Sequence, residues 1–243
     1  MSTYTIGDIH GGLKALEQLI QKLKLIDGDH LIFMGDYVDG WSESAQVVNF
    51  LIDLSNRYDC IFIKGNHDVL CEDWLRSETV NPLWYAHGGK ETIESYSGCN
   101  QNEKLEHLKF FEQTKLYHID SENNLFLHAG FTSMHGVDKE HFKANFYYDR
   151  TLWEMALVAD KSMKRDDLNY PKRTRHYREI YIGHTPTTNF NESLPMNALN
   201  IWNVDTGAAF KGKLSAIEID TKEIYQSEPV FMLYPDELGR NKN

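Results

Sequence analysis

Basic residues are in short supply in this 243-residue chain: Lys and Arg total 25 against 36 Asp and Glu, a formal charge of −11. A chain that acidic lacks the broad positive surface by which proteins hold phosphate backbones, so general nucleic-acid binding is not expected. Cysteine is scarcer still. Cys60, Cys71 and Cys99 form an odd, widely spaced set with no CxxC pair. They read as reduced, buried filler thiols of a cytosolic protein and exclude a disulfide framework. No apolar run approaches the roughly 20 residues needed to span a bilayer. The opening MSTYTIGDIH has no basic segment leading into an apolar one, so a secretory leader is not expected and the cytoplasm is the expected location. There is also no Pro/Ser/Gly-rich run, no block of like charge and no repeat. Residues 1–243 therefore read as one domain with an insertion.

What is present is an alternation of strand and helix. TYTIGDIH is a short apolar strand ending in Gly7-Asp8. GLKALEQLIQKLKLI places Leu13, Leu16, Ile20, Leu23 and Ile26 at helical spacing with charge opposite. HLIFMGD reads as a second strand, SESAQVVNFLIDLSNRY as a second helix capped by Ser42 or Ser44, and CIFIKGNHD as a third strand. Such a βαβαβ run favours a parallel sheet. Later, KLYHIDSENNLFLHAG turns at Glu122-Asn123-Asn124 as a hairpin would. REIYIGH, ALNIWNVDTGA, KLSAIEID and KEIYQSEP supply further strands. Residues 71–112 read mostly as helix, with Trp74, Trp84, Tyr85 and Tyr96 among them. That segment is a candidate cap beside the sheet.

Five polar clusters share one placement, directly after an apolar strand. They are Gly7-Asp8-Ile9-His10-Gly11, Gly35-Asp36-Tyr37-Val38-Asp39, Gly65-Asn66-His67-Asp68, His128-Ala129-Gly130 and Gly183-His184-Thr185. One Gly-Asp after a strand is ordinarily a turn with an Asx cap. Five clusters are a different matter, because loops at the carboxyl ends of parallel strands converge on one crevice. Carboxylates, imidazoles and an amide converging there make a mixed oxygen and nitrogen ligand set, suited to Mn²⁺, Fe or Zn²⁺.

As an ordered set, GDIHG, GDYVDG, GNHD, HAG and GHT resemble the signature of the calcineurin-like metallophosphoesterases, from residue 7 to about 219. HGGKETIESY and NVDTGAAFKGKLSAIEI resemble stretches of the bacterial phosphoprotein phosphatase branch, which includes lambda-type protein phosphatases and symmetrical diadenosine tetraphosphate hydrolases. The resemblance implies an α/β, four-layer (α+β) fold. A central β-sandwich of mixed sheets would be flanked by helices, around a βαβαβ core with a helical cap insertion at about 71–112. It implies two divalent metal ions, Mn first with Fe or Zn accepted. Asp8, His10 and Asp36 would hold one, and Asp36 would bridge to a second held by Asn66, His128 and His184. A hydroxide shared by cations roughly 3.5–4 Å apart would attack phosphorus. His67 would be the general acid and Asp39 the carboxylate that orients it and favours its charged form.

The sequence leaves the family pattern at two points. Gly183-His184 is followed by Thr185-Pro186 rather than by a second histidine, which favours the phosphoprotein phosphatase branch. GDxVDRG is the usual second motif, yet position 40 is Gly, followed by Trp41. The missing arginine would grip phosphate with a planar fork that Lys cannot copy. Either the site clamps less or another residue reaches in. Arg150 is the first candidate by resemblance, ahead of the basic run from Lys172 to Arg178 and of Arg76. The expected activity is phosphomonoester hydrolysis on phosphoserine or phosphothreonine of a protein, or on a small phosphoester, with no membrane partner. The alternative is symmetrical hydrolysis of diadenosine tetraphosphate, with the aromatics of 71–112 stacking on bases. A third reading, a metal-binding scaffold without catalysis, has only the missing arginine in its favour.

Overall fold

The computed structural model describes residues 1–241. The first sheet begins as the βαβαβ pattern requires. β1 (Thr3–Ile6), β2 (His30–Phe33) and β3 (Asp59–Phe62) lie side by side and parallel. They are linked by α1 (Leu13–Leu23) and α2 (Ser44–Ser55). Alternation along the β2 segment sets the layers. Leu31 and Phe33 face the helices, while Ile32 and Met34 face the second sheet, and all four are buried. α1 buries Ala15, Leu16, Leu19 and Leu23 and ends there, with Lys24 left-handed as its cap. Ile26, expected to continue the helical stripe, lies beyond that cap and is exposed.

α3 (Asn66–Ser77), α4 (Pro82–Trp84), a π-turn (Tyr85–Gly89), α5 (Lys90–Ser95) and α6 (Gln101–Gln113) follow β3. The stretch expected to cap the sheet lies beside α2 and α3, extending the outer helical layer. Trp74, Trp84 and Tyr96 are part of that layer's core rather than a base-stacking surface, and only Tyr85 is exposed. Of the cysteines, Cys71 is buried while Cys60 and Cys99 are half-buried, and all are free.

The second sheet orders its strands β4-β5-β6-β8-β7. β4 (Tyr117–Ile119) and β5 (Leu125–Leu127) form the expected antiparallel hairpin. β6 (Ile180–Ile182) and β8 (Ile201–Asn203) run parallel to β5, and β7 (Met196–Ala198) is an antiparallel edge. α7 (Asn145–Tyr148) and α8 (Thr151–Val158) contribute Phe146, Leu152 and Trp153 to the core on its outer face. β9 (Lys213–Glu218) and β10 (Ile224–Pro229) then return to the first sheet, which reads β10-β9-β1-β2-β3. The short α9 (Val230–Leu233) follows. Between the sheets, Ile32, Met34 and Ile63 meet Phe126, Tyr181 and Val204. The result is the four-layer arrangement of mixed sheets flanked by helices.

Neither expected serine caps α2. The position before Ser44 is Glu43, and no side chain bonds there. Ser44 Oγ accepts the Asp39 N–H (3.1 Å), and Ser42 bonds the Glu237 carboxylate through its N–H (3.0 Å) and hydroxyl (2.7 Å). Tertiary partners have taken both hydroxyls away from the helix end.

Candidate metal centre

Parallel registers bring the strand ends level. Ile6 lies opposite Phe33 and Phe33 opposite Phe62, so the loops carrying Asp8, Asp36 and Asn66 leave the first sheet together. Phe126 lies opposite Tyr181 and Ile182 opposite Asn203, so those carrying His128, His184 and Asp205 leave the second together. Each loop must turn at once. His10, Asp36, Asp39 and His184 take φ values of 55°, 52°, 73° and 67°. Sparsely populated backbone of this kind costs on the order of 1–3 kcal/mol per residue, with Asp and His tolerating it better than most. Burying Leu31, Ile32, Phe33 and Met34 at about 1.5–3 kcal/mol each offsets a strain of that size from a single strand segment.

Asp68 fixes the second and third loops to one another. Its carboxylate accepts the N–H groups of Asp36, Tyr37 and Gly65, each at 2.8 Å. The contact is so close that a Cβ on Gly65 would overlap the Asp36 carboxylate. His67 N–H in turn donates to Asp36 Oδ1 (2.9 Å).

The side chains converge on Asp36. His10 Nε2 lies 3.7 Å from Asp36 Oδ2 and 3.9 Å from Asp8 Oδ2. His128 Nε2 lies 3.3 Å from Asp36 Oδ2 and 3.3 Å from Asn66 Oδ1. Ligand atoms of Asp36, His128 and His184 fall within 4.8 Å of one another, as do those of His10, Asp36 and His67. Nδ1 of His10 faces the carbonyls of Val38 (3.2 Å) and Asp39 (3.0 Å), and Nδ1 of His128 faces that of Met34 (2.7 Å). Carbonyls only accept, so each Nδ1 carries a proton and turns Nε2 toward the cluster. His184 Nε2 is buried without a hydrogen-bond partner, and its backbone N–H donates to the Asp8 carboxylate.

The field of this pocket calls for positive charge. Burial raises Asp8 well above the usual carboxylate range, and Asp205 adds to it. Burial, and then Asp36, push Asp205 up to about 6. Burial also opposes ionisation of Asp36, but His128, His67 and His10 together hold its carboxyl well below the usual range. Burial lowers His128, yet Asp36 and Asp8 raise it to about 10. His184 falls to about 2 through burial and the neighbouring His128. Crowded buried carboxylates with imidazole nitrogens turned toward them are the donor set of a divalent cation.

Asp39 lies beside this cluster with no exposed surface. Its Oδ2 accepts from His67 Nδ1 (2.6 Å) and from Trp84 Nε1 (2.6 Å), and its Oδ1 from Thr92 Oγ1 (2.6 Å). With Nδ1 engaged, His67 has only Nε2 to offer the cluster.

A family model described as calcineurin-like phosphoesterase matches residues 1–210. The chain belongs to that family. It is a metallophosphoesterase, a hydrolase of phosphoric esters. Two curated relatives are bis(5'-nucleosyl)-tetraphosphatases PrpE (asymmetrical). The Oceanobacillus iheyensis protein is 28% identical over 238 residues, covering 90% of this chain and 88% of its own. The Bacillus mycoides protein is 30% identical over 248 residues, covering 92% and 94%. A crystal structure provisionally assigned as a diadenosine tetraphosphatase superposes with a TM-score of 0.64 at 19% identity, covering 92% of this chain and 91% of that one.

The metallophosphoesterase motifs thus meet at one place, but they are not its whole. Asp205, Asp68, Trp84 and Thr92 are further members to which the motif reading gave no role at the site. Asp205 follows an apolar strand just as the five clusters do, in NVDTG, and the same rule would have found it. Among the expected arginines, Arg150 is exposed beside the site, where its charge acts on His184. Arg76 instead pairs with Glu72 (2.8 Å) and Glu112 (2.9 Å). The basic run is structural: Arg173 donates to the Phe131 carbonyl (2.6 Å), and Arg178 pairs with Glu122 (3.3 Å) and Asp220 (3.8 Å). Among the described residues no helix is long and apolar enough to cross a membrane.

Proposed function

We propose that this metallophosphoesterase hydrolyses dinucleoside tetraphosphates, cutting asymmetrically to a nucleoside triphosphate and a monophosphate. The observation that carries this reading is near full-length similarity, at 28–30% identity, to proteins bearing that name. It takes precedence over the protein-phosphatase activity expected from the motifs, and over symmetrical cleavage.

Asp8, His10 and Asp36 would hold one divalent cation, and Asp36, Asn66, His128 and His184 a second, with Mn²⁺ the first choice. Bound there, the cations would acidify water and carry charge developing on the phosphoryl oxygens. The chain's own contribution is position and proton. His67 presents Nε2 to the leaving oxygen and donates its proton there, while Asp39 holds Nδ1 at 2.6 Å. Trp84 and Thr92 donate to both oxygens of Asp39, which keeps the carboxylate turned toward His67. Arg150, exposed beside the site, would meet an outlying phosphate of a long substrate.

The test is product analysis. Mn²⁺-loaded protein is given diadenosine tetraphosphate, a phosphoserine peptide and p-nitrophenyl phosphate, with products separated by anion exchange. ATP plus AMP, with the dinucleotide preferred at least tenfold in kcat/KM, is expected. Two molecules of ADP would reject asymmetric cleavage. Preference for the peptide would restore the protein-phosphatase reading, and turnover of none would leave only a scaffold.

A further inference from the structure

The residues that break the family's second motif, Gly40-Trp41, and Ser42 just after them all serve one purpose: they hold the segment 234–240 in place beside the loop they occupy. Trp41 is buried, its Nε1 donating to the Ala208 carbonyl (2.8 Å), and its ring stacks on Tyr234 with centroids 5.2 Å apart. Gly239 crosses the same ring so closely that a Cβ would sit 2.6 Å from Trp41 Cζ2. Ser42 binds Glu237 through both its N–H and its hydroxyl. The Arg240 N–H then donates to the Ala209 carbonyl (2.9 Å), fixing the backbone one residue past that crossing.

Gly40 completes the arrangement by what it omits. It has φ +120°, and a Cβ there would lie 3.2 Å from Cγ and 3.6 Å from Cδ of Arg240. The Arg240 side chain therefore fills the space that a side chain at position 40 would need. Its guanidinium lies 5.6 Å from the centre of the Phe210 ring, and among the described residues no carboxylate lies within 4 Å of it. The same Cβ would lie 3.4 Å from the His10 carbonyl oxygen, so the Arg240 side chain packs beside the loop that carries His10 into the pocket. A guanidinium over a ring, free of carboxylate partners among the described residues and beside a phosphoester site, is preorganised for a phosphoryl group: planar, permanently charged and able to bind two oxygens at once.

We infer that Arg240 takes over the phosphate contact that position 40 has lost, so that one substrate-binding arginine arrives from the far end of the sequence, held by Trp41 and Ser42. This rests on the reading of the site as a phosphoester hydrolase.

Orthophosphate binding to the Mn²⁺-loaded full chain, measured by calorimetry, tests the inference apart from turnover. Arg240→Ala is expected to weaken orthophosphate about 10–100-fold, the range for losing a charge-assisted pair, and to raise KM more than it lowers kcat. Arg240→Lys should recover only part of that affinity, because an ammonium lacks the fork. Lys211→Ala, the removal of a nearby exposed charge, should leave affinity within about twofold if the effect is local rather than a general loss of charge. Melting temperatures check that each variant is folded. Equal orthophosphate affinity in wild type and Arg240→Ala would overturn the inference, as would full recovery by lysine or a wild-type chain that binds no orthophosphate. Turnover of diadenosine tetraphosphate by the wild type tests the functional reading separately: a chain that hydrolyses it while Arg240→Ala matches wild type fails the inference alone.

Discussion

Asp39→Asn, made alone and on top of His67→Ala, probes the proton donor most directly. The Asp39–His67 bond is 2.6 Å long, between side chains 0% and 6% exposed. A hydrogen bond to a charged group contributes about 1.5–3 kcal/mol and a neutral one about 0.5–1.5. Replacing carboxylate by amide therefore removes about 1–1.5 kcal/mol from whatever depends on that bond, close to tenfold in rate. The amide fits. Its oxygen can keep both His67 and Trp84, while its NH₂ faces Thr92 Oγ1, which can turn to accept and donate to Ser44 Oγ, 2.9 Å away. On an alkyl phosphate, whose leaving oxygen needs a proton, Asp39→Asn should lower kcat about tenfold and His67→Ala about 10²–10⁴-fold. On p-nitrophenyl phosphate, a far better leaving group, both losses should shrink. The double variant should match His67→Ala within about threefold, because a group that acts only through another adds nothing once that other is gone. A further tenfold drop in the double variant, or equal losses on both esters, would refute the assignment.

Other outcomes follow from neighbouring contacts. Asp68→Asn turns an NH₂ toward one of three backbone N–H donors, now at 2.8 Å. It should weaken Mn²⁺ binding about 10–100-fold by displacing Asp36, measured by calorimetry; unchanged affinity would mean that the loop holds itself. Chelating the metal should lower Tm by about 5–10 °C, since occupancy at 100 times Kd stabilises by about 2.7 kcal/mol. An identical Tm before and after chelation would count against cations bound to the folded chain. His107 gives a pH signature remote from the metals. It bonds Tyr96 Oη and Asn49 Oδ1 (2.8 Å each), and burial lowers it to about 4, with Glu103 pulling the other way. The unfolded histidine titrates near 6.5, so its contribution is complete above that pH and is lost as pH falls toward 4. That loss is about 3 kcal/mol at 1.36 kcal/mol per unit. In His107→Gln the slope of unfolding free energy over this window should flatten, and an unaltered slope would show that the titration lies elsewhere.

The parts of this molecule that were legible in the sequence are those written locally. Alternation along the β2 segment and the helical spacing of α1 specify faces, and a polar cluster directly after a strand specifies a position at the crevice. His10, Asp36, Asn66, His128 and His184 could be gathered on that rule because parallel strands leave their loops at one end. Contacts made across long separations carried no such signal. Trp84 and Thr92 reach Asp39 over 45 and 53 residues, and nothing in LWYAHGGKETIESY states what they will touch. Local preference also misled where tertiary partners were stronger: Ser42 and Ser44 are good helix caps by type, but Glu237 and Asp39 claim them. Asp205 was missed for another reason, since its stretch was read for its strands and not for the carboxylate at the end of one.

The division of the cluster between two sheets has a consequence for how the chain assembles. Asp8, His10, Asp36 and Asn66 belong to the first sheet, and His128 and His184 to the second. Asp8, His10 and Asp36 could gather without the second sheet, but the proposed second set, which adds His128 and His184, is complete only once the two halves have docked through Ile32, Met34, Phe126 and Tyr181. Affinity for the second cation would therefore act as a latch on the interface between half-molecules. A substitution deep between the sheets, far from any ligand, will register first as a weaker grip on metal.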